Sequence, residues 1–249
     1  MAESLKGKVA VITGVGSGFG KATAELFASK DQAGLVLIDI NEKALADTAE
    51  CCRMAGSKVV AMAADVTKAE TFERALAAVL DNWGKVDFLI NYAGGALKVA
   101  PIEEMDDEIN RRIIDLNLTS TIMSCRTFTP QFKKQGFGKI INVSSACDRR
   151  CWQGWSVYSA AKAAVNQFTK CLYTELRPHG VTVTLLVPGG SNTGFQAAAQ
   201  GVNKFEWDEE LAVRPEHFAD MVYQACALSR GGCVVEMLVY GLAQDVSGF

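Results

Sequence analysis

The sequence predicts an α/β fold: a single domain with a doubly wound, parallel, seven-stranded sheet and helices on both faces. Three observations predict it. Short apolar runs alternate with longer stretches carrying Ala, Leu, Glu and Lys at helical spacing, from one end of the 249 residues to the other. The short runs are rich in Val and Ile, as suits parallel strands buried on both faces. No repeat, low-complexity tract or linker interrupts the alternation.

Taken in order, residues 8–13 form the first strand and 19–30 the first helix. Strand 35–40 is followed by helix 42–55, strand 59–64 by helix 69–82, and strand 86–91 by one long helix over 104–134. Strand 139–143 leads to helix 156–177, which Pro178 and Gly180 terminate. Strand 181–187, helix 215–228 and strand 233–239 complete the set. The one long irregular stretch, about 189–210, is read as a substrate loop, because loops of that length inside a compact domain are usually functional.

Composition narrows the function classes. With 49% hydrophobic and 21% charged residues the chain is globular and large enough for a sizeable core. A net charge of −3 without a basic block argues against a nucleic-acid partner. No apolar run is long enough to span a bilayer, and residues 1–8 lack a signal-peptide pattern, so a cytoplasmic enzyme without a membrane partner is expected. Eight cysteines include no Cys-x-x-Cys pair and there are only two histidines, so no metal site is expected and the thiols are read as free. Cys147 and Cys151 fall in a segment expected to border the substrate.

The first strand runs into Thr13-Gly14-Val15-Gly16-Ser17-Gly18-Phe19-Gly20 and then a helix. In that context glycines allow a tight turn and close approach of the backbone to a pyrophosphate, which the helix N-terminus attracts. Gly14, Ser17, Gly18, Phe19 and Gly20 are therefore candidate cofactor-binding residues. Asp39 ends the second strand, 19 positions after Gly20, an offset that suits hydrogen bonds from ribose hydroxyls. Its charge would repel a 2′-phosphate, and neither Ile40 nor Asn41 offsets it, so NAD is preferred over NADP. Asp65-Val66 and Asn91-Tyr92-Ala93-Gly94 lie at later strand ends, where ligands bind in open sheets; each is also readable as a cap or turn.

Tyr158 and Lys162 stand four apart, on one face of a helix. An isolated phenol titrates near ~10, and a nearby ammonium together with a positive nicotinamide ring would lower it, fitting Tyr158 for general acid/base work. Ser145 follows a strand end, where its hydroxyl can hydrogen-bond a developing alkoxide. Asn117 is polar inside an apolar helical stretch and reads either as a buried amide satisfying backbone groups or as the holder of a proton-relay water.

On these residues the sequence resembles the short-chain dehydrogenase/reductase family, in its single-domain form of about 250 residues and Rossmann-type fold. The family pattern Thr-Gly-x-x-x-Gly-x-Gly is matched by Thr13 to Gly20. Its Asn-Asn-Ala-Gly segment is present with Tyr92 at the second position, which bears on local hydrogen bonding. The resemblance implies Asn117, Ser145, Tyr158 and Lys162 as the catalytic set, a nicotinamide site shaped by Pro188-Gly189, and Thr193 on the carboxamide. Asn91, Ala93 and Gly94 join Asp65, Val66 and Ile40 as implied cofactor contacts. It further implies interconversion of a secondary alcohol and a ketone, and a homotetramer or homodimer built through the helices at 104–134 and 156–177. The C-terminus departs from the common family ending, so subunit contacts there are expected to differ.

The segment 146–155 contains Trp152 and Trp155, an aromatic wall. Arg149 or Arg150 would bind an anionic substrate group, or pair with Asp148 at the surface. Phe195, Phe205 and Trp207 would serve a lid. These features fit a small-to-medium hydrophobic alcohol or ketone. The rival reading is a non-catalytic dinucleotide sensor on the same fold, which would bind NADH without turnover.

Overall fold

The computed structural model describes residues 4–191, 193, 195, 199 and 213–242. Seven strands, β1 (Val9–Thr13), β2 (Gly34–Asp39), β3 (Val59–Ala63), β4 (Phe88–Asn91), β5 (Gly138–Val143), β6 (Val181–Pro188) and β7 (Glu236–Val239), form one sheet ordered β3-β2-β1-β4-β5-β6-β7. Every pairing is parallel. All positions of β1, β4 and β5 are buried, as expected where helices cover both faces. Winding reverses between β1 and β4, which opens a crevice at their carboxyl ends.

The helices are α1 (Gly18–Asp31), α2 (Glu42–Met54), α3 (Ala69–Trp83), α4 (Asp107–Ile114), α5 (Ser120–Gln135), α6 (Ser156–Leu176) and α7 (Pro215–Ala227). The core lies in two slabs. Phe27, Leu35, Phe88 and Phe218 pack under α1, α2 and α7. Val36, Phe72, Phe128, Phe132 and Val183 pack under α3, α5 and α6. Between them, buried Lys139 at the start of β5 donates to the carbonyls of Ala225 (3.1 Å), Cys226 (2.8 Å) and Leu228. An ammonium there meets the negative end of the α7 dipole and its orphan carbonyls.

The largest boundary differences from the sequence expectation are three. The helix expected over 104–134 is two helices. Asp106 caps α4 by accepting from the Ile109 amide at 2.8 Å, and a π turn, Asp115–Thr119, separates α4 from α5. Strand β4 begins at Phe88 because the Gln135 side chain takes the polar groups of Val86, accepting from its N–H and donating to its carbonyl. Strand β7 begins at Glu236 because the Thr184 hydroxyl takes the Val234 carbonyl. Ile40 lies beyond β2 and is exposed.

Candidate active site

The glycine turn between β1 and α1 brings the start of the helix close against the strand. Gly14 donates to the Ile38 carbonyl at 2.8 Å, anchoring the turn to β2. A Cβ on Gly20 would stand 2.1 Å from the Gly14 carbonyl oxygen, so only glycine lets α1 start this close to the strand. The first turn of α1 carries no acidic residue, and Ser17 caps it without a side-chain hydrogen bond. No acidic side chain of that first turn competes for its leading N–H groups. Phe19 packs on Phe218 at 4.4 Å, holding that end of α1 to α7.

Asp39 points back into the turn. One oxygen accepts from the Gly16 N–H at 2.7 Å and the other from the Asn41 N–H at 2.8 Å. Thr193 stands against Gly18, where an added Cβ would lie 3.2 Å from its side chain, so the segment after β6 meets the glycine turn. Gly189, just past Pro188, is tied to β7 by its N–H to Val239 O at 2.7 Å. A helix N-terminus, a carboxylate against Gly16 and Thr193 against Gly18 thus gather around the glycine turn.

At the carboxyl end of β4, Thr13 Oγ1 accepts from the Ala93 N–H at 3.1 Å. Tyr92, where the family pattern has a second Asn, reaches away from the crevice to a hydrogen bond with Thr23 Oγ1 of α1 at 2.8 Å, and burial raises its pKa. Asn91 is committed inside the fold: its amide donates to Asn142 Oδ1 (2.9 Å) and accepts from Ser124 Oγ (2.8 Å). The Asp65 carboxylate closes its own turn on the Thr67 amide at 2.8 Å, and Val66 is a core residue. Their side chains are thus occupied by local structure.

Asn117 sits in the π turn and is fully buried. Its amide accepts from Gly95 N at 3.1 Å and donates to Gly95 O and Ile113 O, both at 2.8 Å. The Gly95 bonds tie the stretch after β4 to the π turn. A Cβ on Gly94 would stand 2.7 Å from Asn117 Oδ1 and 3.2 Å from Lys162 Nζ, so Gly94 is where the two residues converge.

Tyr158 and Lys162 lie one turn apart on α6, both buried. Lys162 Nζ is 5.8 Å from the Tyr158 ring centre and donates to the Val143 carbonyl at the end of β5 at 2.9 Å. Burial pulls Lys162 down to about 8, against the raising effects of Cys147 and Asp148. Burial raises Tyr158 above the ordinary phenol value. Cys147 and Asp148 add to this, and the Ser145 hydrogen bond works against it. Loss of hydration disfavours the charged phenolate at this buried position.

Two aromatic rings flank the phenol. Trp155 meets Tyr158 edge-on at 5.6 Å and stacks on Phe195 at 6.2 Å, and Phe195 lies 5.5 Å from Tyr158. Ala96, Leu97, Val99, Met105, Ile109 and Ile113 extend this apolar wall. Trp152 is largely exposed. Arg149 does not stand open to an anion. Its guanidinium donates to Asp148 Oδ1 and Glu236 Oε1, each at 2.6 Å, so the pairing alternative holds. Arg150 lies over the Tyr240 ring at 5.9 Å. Phe205, Trp207, most of the loop at 189–210 and residues 243–249 lie outside the described residues.

Sequence reasoning missed the roles of Ser144, Asp148 and Asn166. Asp148 has no side-chain exposure and accepts from Ser144 Oγ (2.9 Å) and Asn166 Nδ2 (2.7 Å). The available signal was Asn166, four after Lys162 and so on the same helical face. Among the described residues, no group of three or more His, Cys, Asp or Glu could hold a metal, and no helix is long and apolar enough to cross a membrane.

Comparison with known proteins shows the family and the fold. The profile of the family described as short chain dehydrogenase matches residues 8–202. The chain is 35% identical over 208 residues to a cyclohexanol dehydrogenase of Rhodococcus sp. (strain TK6), covering 76% of each chain. It is 34% identical over 187 residues to an (S)-acetoin-forming diacetyl reductase of Staphylococcus epidermidis, covering 75% of this chain and 72% of that one. Among solved structures, a 3-ketoacyl-(acyl-carrier-protein) reductase from Brucella melitensis complexed with NADH superposes with a TM-score of 0.86 at 30% identity, covering 96% of this chain and 98% of that one. An alcohol dehydrogenase of the archaeon Thermococcus sibiricus complexed with 5-hydroxy-NADP gives 0.84 at 27% identity, covering 96% and 98%.

Proposed function

Because this chain belongs to the short-chain dehydrogenase family, we propose that it is an NAD-dependent oxidoreductase interconverting an uncharged, apolar secondary alcohol and its ketone. The observation that carries this reading is the gathering of Ser145, Tyr158 and Lys162 beside Gly94 and Asn117, with an apolar cluster packed on Tyr158.

When bound, the nicotinamide dinucleotide supplies or accepts the hydride. The cradle of Gly14, Ser17, Gly18, Phe19 and Gly20 holds its pyrophosphate. Asp39 takes the adenosine ribose, repelling a 2′-phosphate by like charge. Ile40, Asp65, Val66, Asn91, Ala93, Gly94, Pro188, Gly189 and Thr193 form the rest of the proposed cofactor site. Ser145 Oγ positions the substrate oxygen. Tyr158 donates its phenolic proton to a ketone oxygen or, as the tyrosinate, takes the proton from an alcohol in the reverse direction. Lys162 offers the adjacent positive charge, and Asn117 fixes the turn that Lys162 faces.

The aromatic and aliphatic wall, with Arg149 spent on Asp148 and Glu236, favours a neutral substrate over an anionic one. A homotetramer or homodimer belongs to the same reading. Exposed Ile114 and Ile122 on the α4–α5 segment support it, and sedimentation would give its size.

Cyclohexanol with NAD, followed by NADH formation, is the first probe. Tyr158→Phe is expected to lower turnover by about 10²–10⁴-fold, while NADH still quenches tryptophan fluorescence. Undiminished turnover in that variant would refute the assignment.

A further inference from the structure

Resting on that reading of the site, we propose that Asp148 is its positioning residue: a buried carboxylate that fastens the Ser144–Ser145 end of β5 to helix α6 and, through Arg149, to edge strand β7. The family pattern on which the catalytic set was identified does not include this position.

The contacts run in a chain. Ser144 Oγ lies 2.9 Å from Asp148 Oδ2 and 2.9 Å from the Lys162 carbonyl, so one hydroxyl joins the strand end to the lysine's own turn of α6. Asn166, one turn further along α6, donates to the same Asp148 oxygen at 2.7 Å. On the outer side Arg149 donates from Nε to Asp148 Oδ1 at 2.6 Å and from a terminal nitrogen to Glu236 Oε1 at 2.6 Å. Lys170 of α6 approaches Glu236 at 3.8 Å, closing the ring back onto the helix. Ser145 caps the short turn Ala146–Asp148 by accepting from the Cys147 N–H at 3.2 Å, so the turn that carries Asp148 also orients the Ser145 hydroxyl.

A buried carboxylate also carries charge into the site. The titratable and charged groups around it are Cys147 on its own turn, Arg149 beside it, Tyr158 and Lys162 on α6, and Glu236 and Tyr240 at the β7 side. Its negative charge favours the ammonium of Lys162 against the burial that disfavours it. Asp148 thus acts in two separable ways, by tether and by field.

Two variants separate them without needing a substrate. Lys162 is followed by its ¹³Cε resonance in lysine-labelled protein, assigned by its loss in Lys162→Met. Asp148→Asn, nearly isosteric, is expected to titrate Lys162 at least about half a pH unit below wild type. Ser144→Ala breaks the tether and keeps the charge; it is expected to leave that titration in place while amide exchange at residues 145–147 rises about tenfold or more. A wild-type titration in Asp148→Asn, or wild-type exchange in Ser144→Ala, would overturn the proposal. Should Asp148→Asn fail to fold, the Ser144→Ala arm still decides. Failure of the catalytic reading looks different: it appears as turnover by Tyr158→Phe, whatever Lys162 does.

Discussion

Asp39 and Gly94 show how single atoms constrain this site. Both Asp39 oxygens already accept backbone N–H bonds, from Gly16 and Asn41, so the carboxylate is fixed at the glycine turn, where the proposed reading puts the ribose. A 2′-phosphate brought there would face a charge that cannot swing away. Asp39→Ser is therefore expected to raise the NADP-to-NAD ratio of kcat/KM by more than about tenfold, roughly the factor that 1.4 kcal/mol of relieved repulsion gives. An unchanged ratio, measured with both cofactors on one substrate, would remove Asp39 as the discriminator. Gly94→Ala tests packing instead. The new methyl would meet Asn117 Oδ1 and Lys162 Nζ, both buried, and neither can retreat without losing backbone hydrogen bonds. A cost of about 1–3 kcal/mol in urea unfolding is expected.

Helices and strands set where those atoms go, and here the sequence was legible in part. Seven strands and their alternation with helices follow from apolar runs, and the glycine turn follows from its place between β1 and α1. The split of the segment at 104–134 was not legible, because a π turn keeps helical composition and betrays itself only through Asn117, a polar residue in an apolar run. Tyr158 and Lys162 could be read from spacing. The fate of Arg149 could not, because Glu236 lies 87 positions away and only the sheet order brings β7 beside the loop after β5. Lys139 is a similar case: from its sequence context it is a strand's first residue, and in the fold it holds the last turn of α7 from below. Lys139→Met keeps the apolar stem and removes the ammonium, leaving three carbonyls without that donor. Unfolding is expected to cost about 2–4 kcal/mol less than in wild type, with the earliest loss of amide protection in α7. Equal stability would show that water replaces the ammonium at no cost.

Across the whole molecule, burial rather than charge pairing governs how stability responds to alkali. Cys52, Cys125 and Cys226 are all inside the fold, and burial pushes each thiol up to about 12. A group with a folded pKa above its unfolded value binds more protons in the native state, so its contribution is complete below the unfolded value near ~9 and drains as pH climbs toward the folded one. Lys162 has the opposite sign. Its folded value of about 8 lies below the ordinary 10.5, so between those limits the unfolded chain holds more protons and rising pH favours the native state. One lysine against three thiols leaves a net decline above about pH 9, steepened past ~10 by the phenols of Tyr92 and Tyr158, which burial also raises. Urea midpoints measured from pH 7 to 11 should therefore hold or rise slightly to about 9 and then fall. Cys52→Ala/Cys125→Ala/Cys226→Ala starts lower throughout, because three small cavities replace sulfur, yet its midpoint should fall less steeply with pH. Parallel slopes in the two proteins would mean that these three thiols do not carry the alkaline limb, which would then rest on the tyrosines and on Cys147 and Cys233, whose thiols burial also raises.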